Sequence, residues 1–496
     1  MPFCLYHFLY HDHSLDFPHL PSTEIPHSLI IHQHTMTHHY LVYIAASLLT
    51  CGLLAKTPNL IIILTDDQGY NDVGFNGCID IPTPHLDQLA ADGVRFTDGY
   101  VSYPVCGPSR AGLLTGRYQD RFGFTTNPTI DPSNPDAGLP KSEENIAEIL
   151  NKANYSSAII GKWHMGSHTS NHPLKRGFEY FYGFLSGGHS YFPRNYKLND
   201  LTEVTRSWEW YNTRLLENFE RIDVQDDYLT DVLTDAATGF IEKKVKANQH
   251  FMLYLAYNAP HAPLQATEKY LSRFPDITDE KRRTYAAMLS CVDDGVGRVM
   301  ESLRRNHIED DTIVVFLSDN GGAITKNASD NGALRGAKSD LFEGGIRVPF
   351  AMQWKGTIPA GQVYSHPVIS LDIMATITEL AGVKIAEDRP LDGVNLLPYL
   401  TGKNNEAPHD QLFWRKWEQQ GMCIRDGDTK LVANTQRNKN KRQLYNVGND
   451  LSETKNLSKQ NPEKSKELLK SWEAWNDQLQ DRTFPTLMAD KWWERL

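Results

Sequence analysis

The chain is short of cysteine, of positive charge and of long apolar runs, and each shortage removes a class of explanation. Six cysteines (Cys4, Cys51, Cys78, Cys106, Cys291 and Cys423) occur in 496 residues, at spacings that fit neither a zinc-ligand pattern nor a small disulfide scaffold. Lys and Arg number 50 against 61 Asp and Glu, a formal net charge of −11. Phosphate backbones are bound by clustered cations, so nucleic acid is not an expected partner. An anionic small substrate would have to be drawn by a local basic pocket and not by the global field. No apolar run reaches the ~20 residues of a membrane-spanning helix, and no internal repeat is visible. Hydrophobic residues at 40% and charged residues at 22% are the balance of a globular protein. The length suits two or three domains of roughly 150 residues each, with a core large enough to stand without disulfide staples.

The N-terminal 55 residues read as a leader. Residues 1–39 hold nine histidines without periodicity, and Met36 is the expected true start. From Tyr40 to Leu54 runs an apolar stretch closed by Ala55, the length of a signal-peptide core and too short to span a bilayer. Export to the periplasm or the medium is therefore expected. Residues 56–387 read as the catalytic domain and 388–496 as a smaller C-terminal subdomain.

Past the leader, Asn59–Leu64 is a continuous Ile-rich apolar run, as in strands buried on both faces of a parallel sheet. Ser156–Ile160, Phe251–Tyr257 and Thr312–Leu317 have the same character. Helical spacing marks Glu143–Lys152 and Lys281–Arg305 between them. The alternation predicts an α/β fold with a mostly parallel central sheet flanked by helices. Beyond about Asp388, Gln411–Trp417, Gly421–Ala433 and Arg442–Val447 read as short strands. A last helix over Pro462–Leu479 completes an α+β subdomain.

Polar motifs follow those strands. Asp66-Asp67 follows the first, Gly161-Lys162-Trp163-His164 the second, Pro260-His261-Ala262-Pro263 the third and Asp319-Asn320-Gly321 the fourth. In a parallel sheet these ends share one edge, where open α/β folds place their sites. Each motif alone is no more than a polar turn or a structural histidine. Together they assemble an all-oxygen cluster suited to Ca²⁺ or Mg²⁺, with two histidines and a lysine for acid, base and anion contacts. Cys106-Gly107-Pro108-Ser109-Arg110 places a cysteine at a helix start, where free amides attract anions and lower a thiol pKa. It reads as a cysteine nucleophile, an anion cradle or a buried structural cysteine.

Cys106-x-Pro108-Ser109-Arg110, followed by Leu113-Leu114-Thr115-Gly116, resembles the signature of the formylglycine-dependent sulfatase family. The resemblance runs from Pro58 to about Trp475 and takes in the four strand-end blocks, Leu334–Lys338 and Phe342–Pro349, in which Glu343 and Arg347 read as a structural pair. It implies the alkaline-phosphatase-like fold and hydrolysis of sulfate esters. It also implies that a maturation enzyme converts Cys106 to formylglycine, whose hydrate attacks sulfur. Asp66, Asp67, Cys106, Asp319 and Asn320 would hold the cation, Ca²⁺ before Mg²⁺. Arg110 would steady the nucleophile, and Lys162 and Lys338 would grip sulfate oxygens. His261 would protonate the leaving alcohol and His164 would act as base. His189, in the Gly-rich stretch Gly183–Tyr191, is the expected further sulfate or sugar contact, with Ser186 and Ser190 as alternatives. Aromatic Phe178–Phe192 reads as core, with sugar stacking as its other use. A sulfated oligo- or polysaccharide is the expected substrate. The competing readings are a phosphate or phosphonate ester hydrolase of the same superfamily and an unmodified sulfated-glycan-binding protein.

Overall fold

A computed structural model describes residues 57–224, 227–416, 421–433, 442–487 and 491–494. The expected leader lies outside the described residues. Strands β1 (Asn59–Thr65), β2 (Val94–Phe96), β3 (Gly99–Tyr100), β4 (Ser156–Lys162), β5 (Tyr180–Phe184), β6 (Leu215–Glu217), β7 (Glu220–Ile222) and β8 (Phe251–Ala256) come first. They are followed by β9 (Thr312–Ser318), β10 (Phe350–Gln353), β11 (Gln362–Tyr364) and β12 (Val368–Ile369). Ten of them form one sheet in the order β11-β2-β10-β9-β1-β8-β4-β5-β6-β7, and β3 pairs with β12. The middle of the sheet, β9-β1-β8-β4-β5, is parallel, while β10 and β6 join it antiparallel.

The side-chain alternation of β1 divides the core. Leu60, Ile62 and Leu64 face a layer that includes helices Cys106–Thr115, Ile146–Asn151 and Asp372–Leu380. Ile61 and Ile63 face helices Leu229–Lys246 and Glu280–Arg305. All seven residues of β1, β4 and β9 and all six of β8 are buried. Each large apolar side chain there contributes ~1.5–3 kcal/mol by leaving water. Helix Ile146–Asn151 begins three residues inside the expected Glu143 start. Asn145 caps it and the Glu148 carboxylate accepts from the Asn145 backbone N–H, so the first turn is fixed there and not at the preceding acids.

Strands β13 (Gln411–Lys416), β14 (Gly421–Asp426), β15 (Thr429–Ala433) and β16 (Gln443–Asn446) make an antiparallel sheet. Helix Pro462–Asn476 covers it with Leu468 and Trp475. Buried charge ties this sheet to the large one. Lys430 meets Glu343 at 2.8 Å and Glu453 at 2.9 Å, Arg347 meets Glu343 at 3.2 Å, and Arg425 meets Asp98 at 2.6 Å. Glu343 and Arg347 are thus the structural pair expected of them. Cys78, Cys106, Cys291 and Cys423 are all free thiols. No helix among the described residues is long and apolar enough to cross a membrane.

Candidate active site

Because β1, β4, β8 and β9 run parallel, their C-terminal ends bring the four strand-end motifs together. Lys162, the last residue of β4, is fully buried and its Nζ lies 2.5 Å from Asp66 Oδ2. Arg110, from the helix that Cys106 begins, reaches across with its guanidinium 2.8 Å from Asp319 Oδ2 and 3.6 Å from Asp66 Oδ2. It also donates to the Lys162 carbonyl at 3.2 Å. Asn320 donates to Asp67 Oδ1 at 2.8 Å, and Lys338 Nζ sits 2.5 Å from the same oxygen. Gly321 is needed where it stands: a Cβ there would lie 1.9 Å from the Gly344 carbonyl, so a side chain would push the Asp319-Asn320 turn off its neighbour. Asp67 and His164 adopt φ of 64° and 59°, a region non-glycine residues seldom occupy and one that concentrates at functional sites.

Two oxygens of this cluster, Asp66 Oδ1 and Asn320 Oδ1, are buried without a hydrogen-bond partner. A buried polar atom left unsatisfied costs ~1–3 kcal/mol, and a hard cation would satisfy both. One ligand atom each from Asp66, Cys106 and Asp319 lie within 4.8 Å of one another, as do those of Asp66, Asp67 and His261. The oxygen-rich donor set suits Ca²⁺ or Mg²⁺ better than zinc. Burial pushes Asp66 up to about 6 against the pull of Lys162 and Arg110. Burial also works against ionisation of Asp67, but Lys338 and His261 hold it well below the usual carboxylate range.

Cys106 opens helix Cys106–Thr115, every residue of which is buried. Its thiol is opposed by burial, but Lys162 and Lys338 outweigh that and lower its pKa. Lys338 Nζ lies 3.9 Å from Sγ. Asn127 steadies the helix start: its Oδ1 accepts from Gly107 N at 2.8 Å and its amide lies 3.7 Å from Sγ.

Above this floor opens a cleft of about 500 Å³. Asp67, Cys106, His164, His261 and Lys338 line it, together with Asn127, Trp208 and Tyr211. His164 is buried and neither ring nitrogen has a partner. Burial, then Lys162, Arg110 and Lys338, push its pKa well below the usual value and so favour the neutral ring, whose nitrogens stand unbonded. Gly187 makes room for it, since a Cβ there would lie 2.6 Å from His164 Nε2. His261 Nε2 is 3.7 Å from Asp67 Oδ2. Burial brings His261 down to about 4, with Asp67 pulling the other way.

A family model described as Sulfatase matches residues 58–383. The chain belongs to the sulfatase family. A second model, the C-terminal region of N-sulphoglucosamine sulphohydrolase, matches residues 337–480. The pig N-acetylgalactosamine-6-sulfatase is 37% identical over 385 residues, covering 75% of this chain and 72% of that protein. The uncharacterized sulfatase YdeN of Escherichia coli is 34% identical over 410 residues, covering 72% and 68%. The crystal structure of Ps i-CgsB in complex with k-i-k-neocarrahexaose superposes with a TM-score of 0.81 at 39% identity, covering 88% of this chain and 95% of that one. The phosphonate monoester hydrolase of Agrobacterium radiobacter, at 20% identity and a TM-score of 0.60, shares the fold alone. This sulfatase is a sulfuric ester hydrolase.

The sulfatase places Asp66, Asp67, Cys106, Arg110, Lys162, His164, His261, Asp319, Asn320 and Lys338 around one point. It does not place His189 there. That ring is fully buried, with Nδ1 3.0 Å from the Ser190 carbonyl and Nε2 2.8 Å from the Thr213 carbonyl. It packs on Phe184 and Tyr196 and is absent from the cleft wall. Ser186 and Ser190 are likewise taken up, by the Gly188 carbonyl and Gln265. The Gly-rich stretch serves the site through Gly187, which seats His164. The sequence reading passed over Asn127, Trp208 and Tyr211. The exposed aromatic wall comes from the segment 205–213 and not from Phe178–Phe192, whose Phe178, Phe181, Phe184 and Tyr191 are core.

Proposed function

We propose that this sulfatase removes sulfate from a sulfated carbohydrate, with residue 106 acting as formylglycine after conversion by a maturation enzyme. The observation that carries the reading is a cleft lined by Cys106 and by His164 with neither ring nitrogen bonded, with one ligand atom each of Asp66, Asp319 and Cys106 gathered within 4.8 Å of one another. Asp66, Asp67, Asp319 and Asn320 would hold Ca²⁺, or Mg²⁺ in its place, together with residue 106. Such a cation offsets negative charge on the sulfuryl group. Formylglycine, once hydrated, supplies the nucleophilic oxygen at the place where the Cys106 Sγ stands.

The chain's own groups complete the chemistry. Arg110 fixes Asp319 and Asp66 in place. Lys338, open to the cleft, grips a sulfate oxygen. The contact assigned to Lys162 competes with its pair to Asp66. His261 delivers a proton to the leaving alcohol oxygen; a sulfate anion arriving beside it adds negative charge and raises its affinity for that proton. His164, neutral and without a partner, takes the proton whose removal releases sulfate. The carbohydrate assignment draws on the relatives, one acting on N-acetylgalactosamine-6-sulfate by name and one bound to a neocarrahexaose. The apolar stretch Tyr40–Leu54 supports export to the periplasm or the medium.

Sulfate release from a panel of sulfated mono- and oligosaccharides, with mass spectrometry of the Cys106 peptide, tests the reading. Sulfate release from at least one saccharide and an aldehyde at position 106 are the expected results. Active protein carrying only an unmodified thiol would sink the formylglycine assignment, and activity on phosphate or phosphonate esters alone would sink the sulfatase one.

A further inference from the structure

Beyond the sulfate end, the cleft is bounded by the short segment 205–213, which no motif marks. Trp208 stands there with φ of 72° and 49% exposed. An indole left in water on a backbone that bulky residues avoid points to a use for that position. The segment is rigidly held. The Glu209 carboxylate accepts from the backbone nitrogens of Thr205 and Arg206 at 2.9 and 3.0 Å and from the Arg206 guanidinium at 2.8 Å. The Trp208 ring leans on Trp210 at 5.4 Å and meets Tyr211 edge-on at 5.7 Å. Trp210 is fully buried and rests in turn on Trp492 and Trp493, at 6.1 and 5.6 Å. Tyr211 faces His261 edge-on at 6.4 Å.

We propose that Trp208 is the stacking platform for the sugar ring next to the sulfated one, and that Trp492 and Trp493 hold it in place. The proposal rests on the sulfated-carbohydrate reading above. Trp208 and Cys106 line one cleft, so a saccharide that presents sulfate to Cys106 extends across the wall that carries Trp208. The apolar C–H face of a pyranose matches an exposed indole face, and a platform fixed by two aromatic layers binds without first having to be ordered. The platform therefore selects oligosaccharides over single sulfated sugars.

The test compares kcat and KM of the full-length enzyme and of Trp208→Ala, Trp208→Phe and Trp493→Ala. The substrates are a sulfated oligosaccharide, the matching sulfated monosaccharide and 4-methylumbelliferyl sulfate. Trp208→Ala should raise KM for the oligosaccharide about tenfold more than for the monosaccharide, with kcat little altered, the loss of roughly one stacked ring. Trp208→Phe should recover most of that loss, and Trp493→Ala should fall between. Equal losses on oligosaccharide and monosaccharide would overturn the platform while leaving the carbohydrate reading intact. Turnover of the aryl sulfate with none of any sulfated saccharide by the unaltered enzyme would overturn both.

Discussion

The floor and the rim of the cleft are built by different rules. The floor is four strand ends, one helix start and Lys338, and its charged groups are bonded to one another, Lys162 to Asp66, Arg110 to Asp319 and Lys338 to Asp67, with Asn320 on Asp67 as well. The rim is the segment 205–213 with Leu487 from near the C-terminus, held by aromatic packing. Chemistry at a reacting atom demands one residue type at one place, whereas a rim need only present the right shape. Changes to the floor should therefore act on turnover, and changes to the rim on affinity and chain-length preference.

The sharpest break in that comparison comes from the nucleophile. Cys106→Ala should lower kcat by about 10⁴-fold or more, as expected when a covalent nucleophile is lost, with the fold retained by circular dichroism. A loss confined to KM would place position 106 with the rim. Next comes the base: His164→Ala should cost ~10²–10⁴ in kcat, because, among the described residues that line the cleft, the other imidazole is His261, whose Nδ1 already faces the Ala262 carbonyl. His261→Ala should lower kcat/KM more for a sulfated sugar than for 4-methylumbelliferyl sulfate, whose leaving group needs little protonation. Equal losses on both would remove His261 from the acid's role.

This division also explains what could be read in advance. The parallel sheet was legible because strands buried on both faces spell unbroken apolar runs, as Asn59–Thr65 does. Its outer strands were not: Gln362–Tyr364 and Val94–Phe96 on one side, and Leu215–Glu217 and Glu220–Ile222 on the other, are three residues each, too short to show a period. The floor was legible because its groups sit in distinctive strings, beside strand ends, at the Cys106 helix start and in Leu334–Lys338. Asn127 was hidden because a lone Asn in an irregular segment carries no pattern; its role rests on a contact to Gly107, twenty positions away. Trp208 was hidden because tryptophan in sequence reads as core, and only the fold leaves this one in water.

The two sheets offer a second comparison, in how they resist unfolding. The large sheet is held by apolar layers on both faces; the small one is joined to it through buried charge. Lys430, fully buried between Glu343 and Glu453, offsets two carboxylates. Lys430→Met would leave them facing each other with less compensation, and stability should fall by ~3–5 kcal/mol, the cost of breaking a buried ion pair by removing one partner. Urea unfolding measures it. An unchanged midpoint would mean that the network adds nothing beyond the packing of Trp414 and Trp475.

The smallest effect on activity should come from a histidine that the sequence placed at the site. His164 and His189 are both buried, yet one has two idle nitrogens and the other has a carbonyl beside each. His189→Gln should therefore leave kcat/KM at neutral pH within about threefold, as for a residue that touches no reacting atom. Its effect should appear in stability against pH. Burial holds His189 down to about 4, below its value of ~6.5 in the unfolded chain. The unfolded state then binds the proton more readily between those two values, so stability is full above ~6.5 and drains as pH falls toward 4, by ~3 kcal/mol in all. The difference in unfolding free energy between the unaltered enzyme and His189→Gln, followed from pH 7 to pH 4, should shrink by about that amount. A difference that stays flat with pH, together with a raised KM for sulfated substrates, would return His189 to the substrate site and remove it from the core.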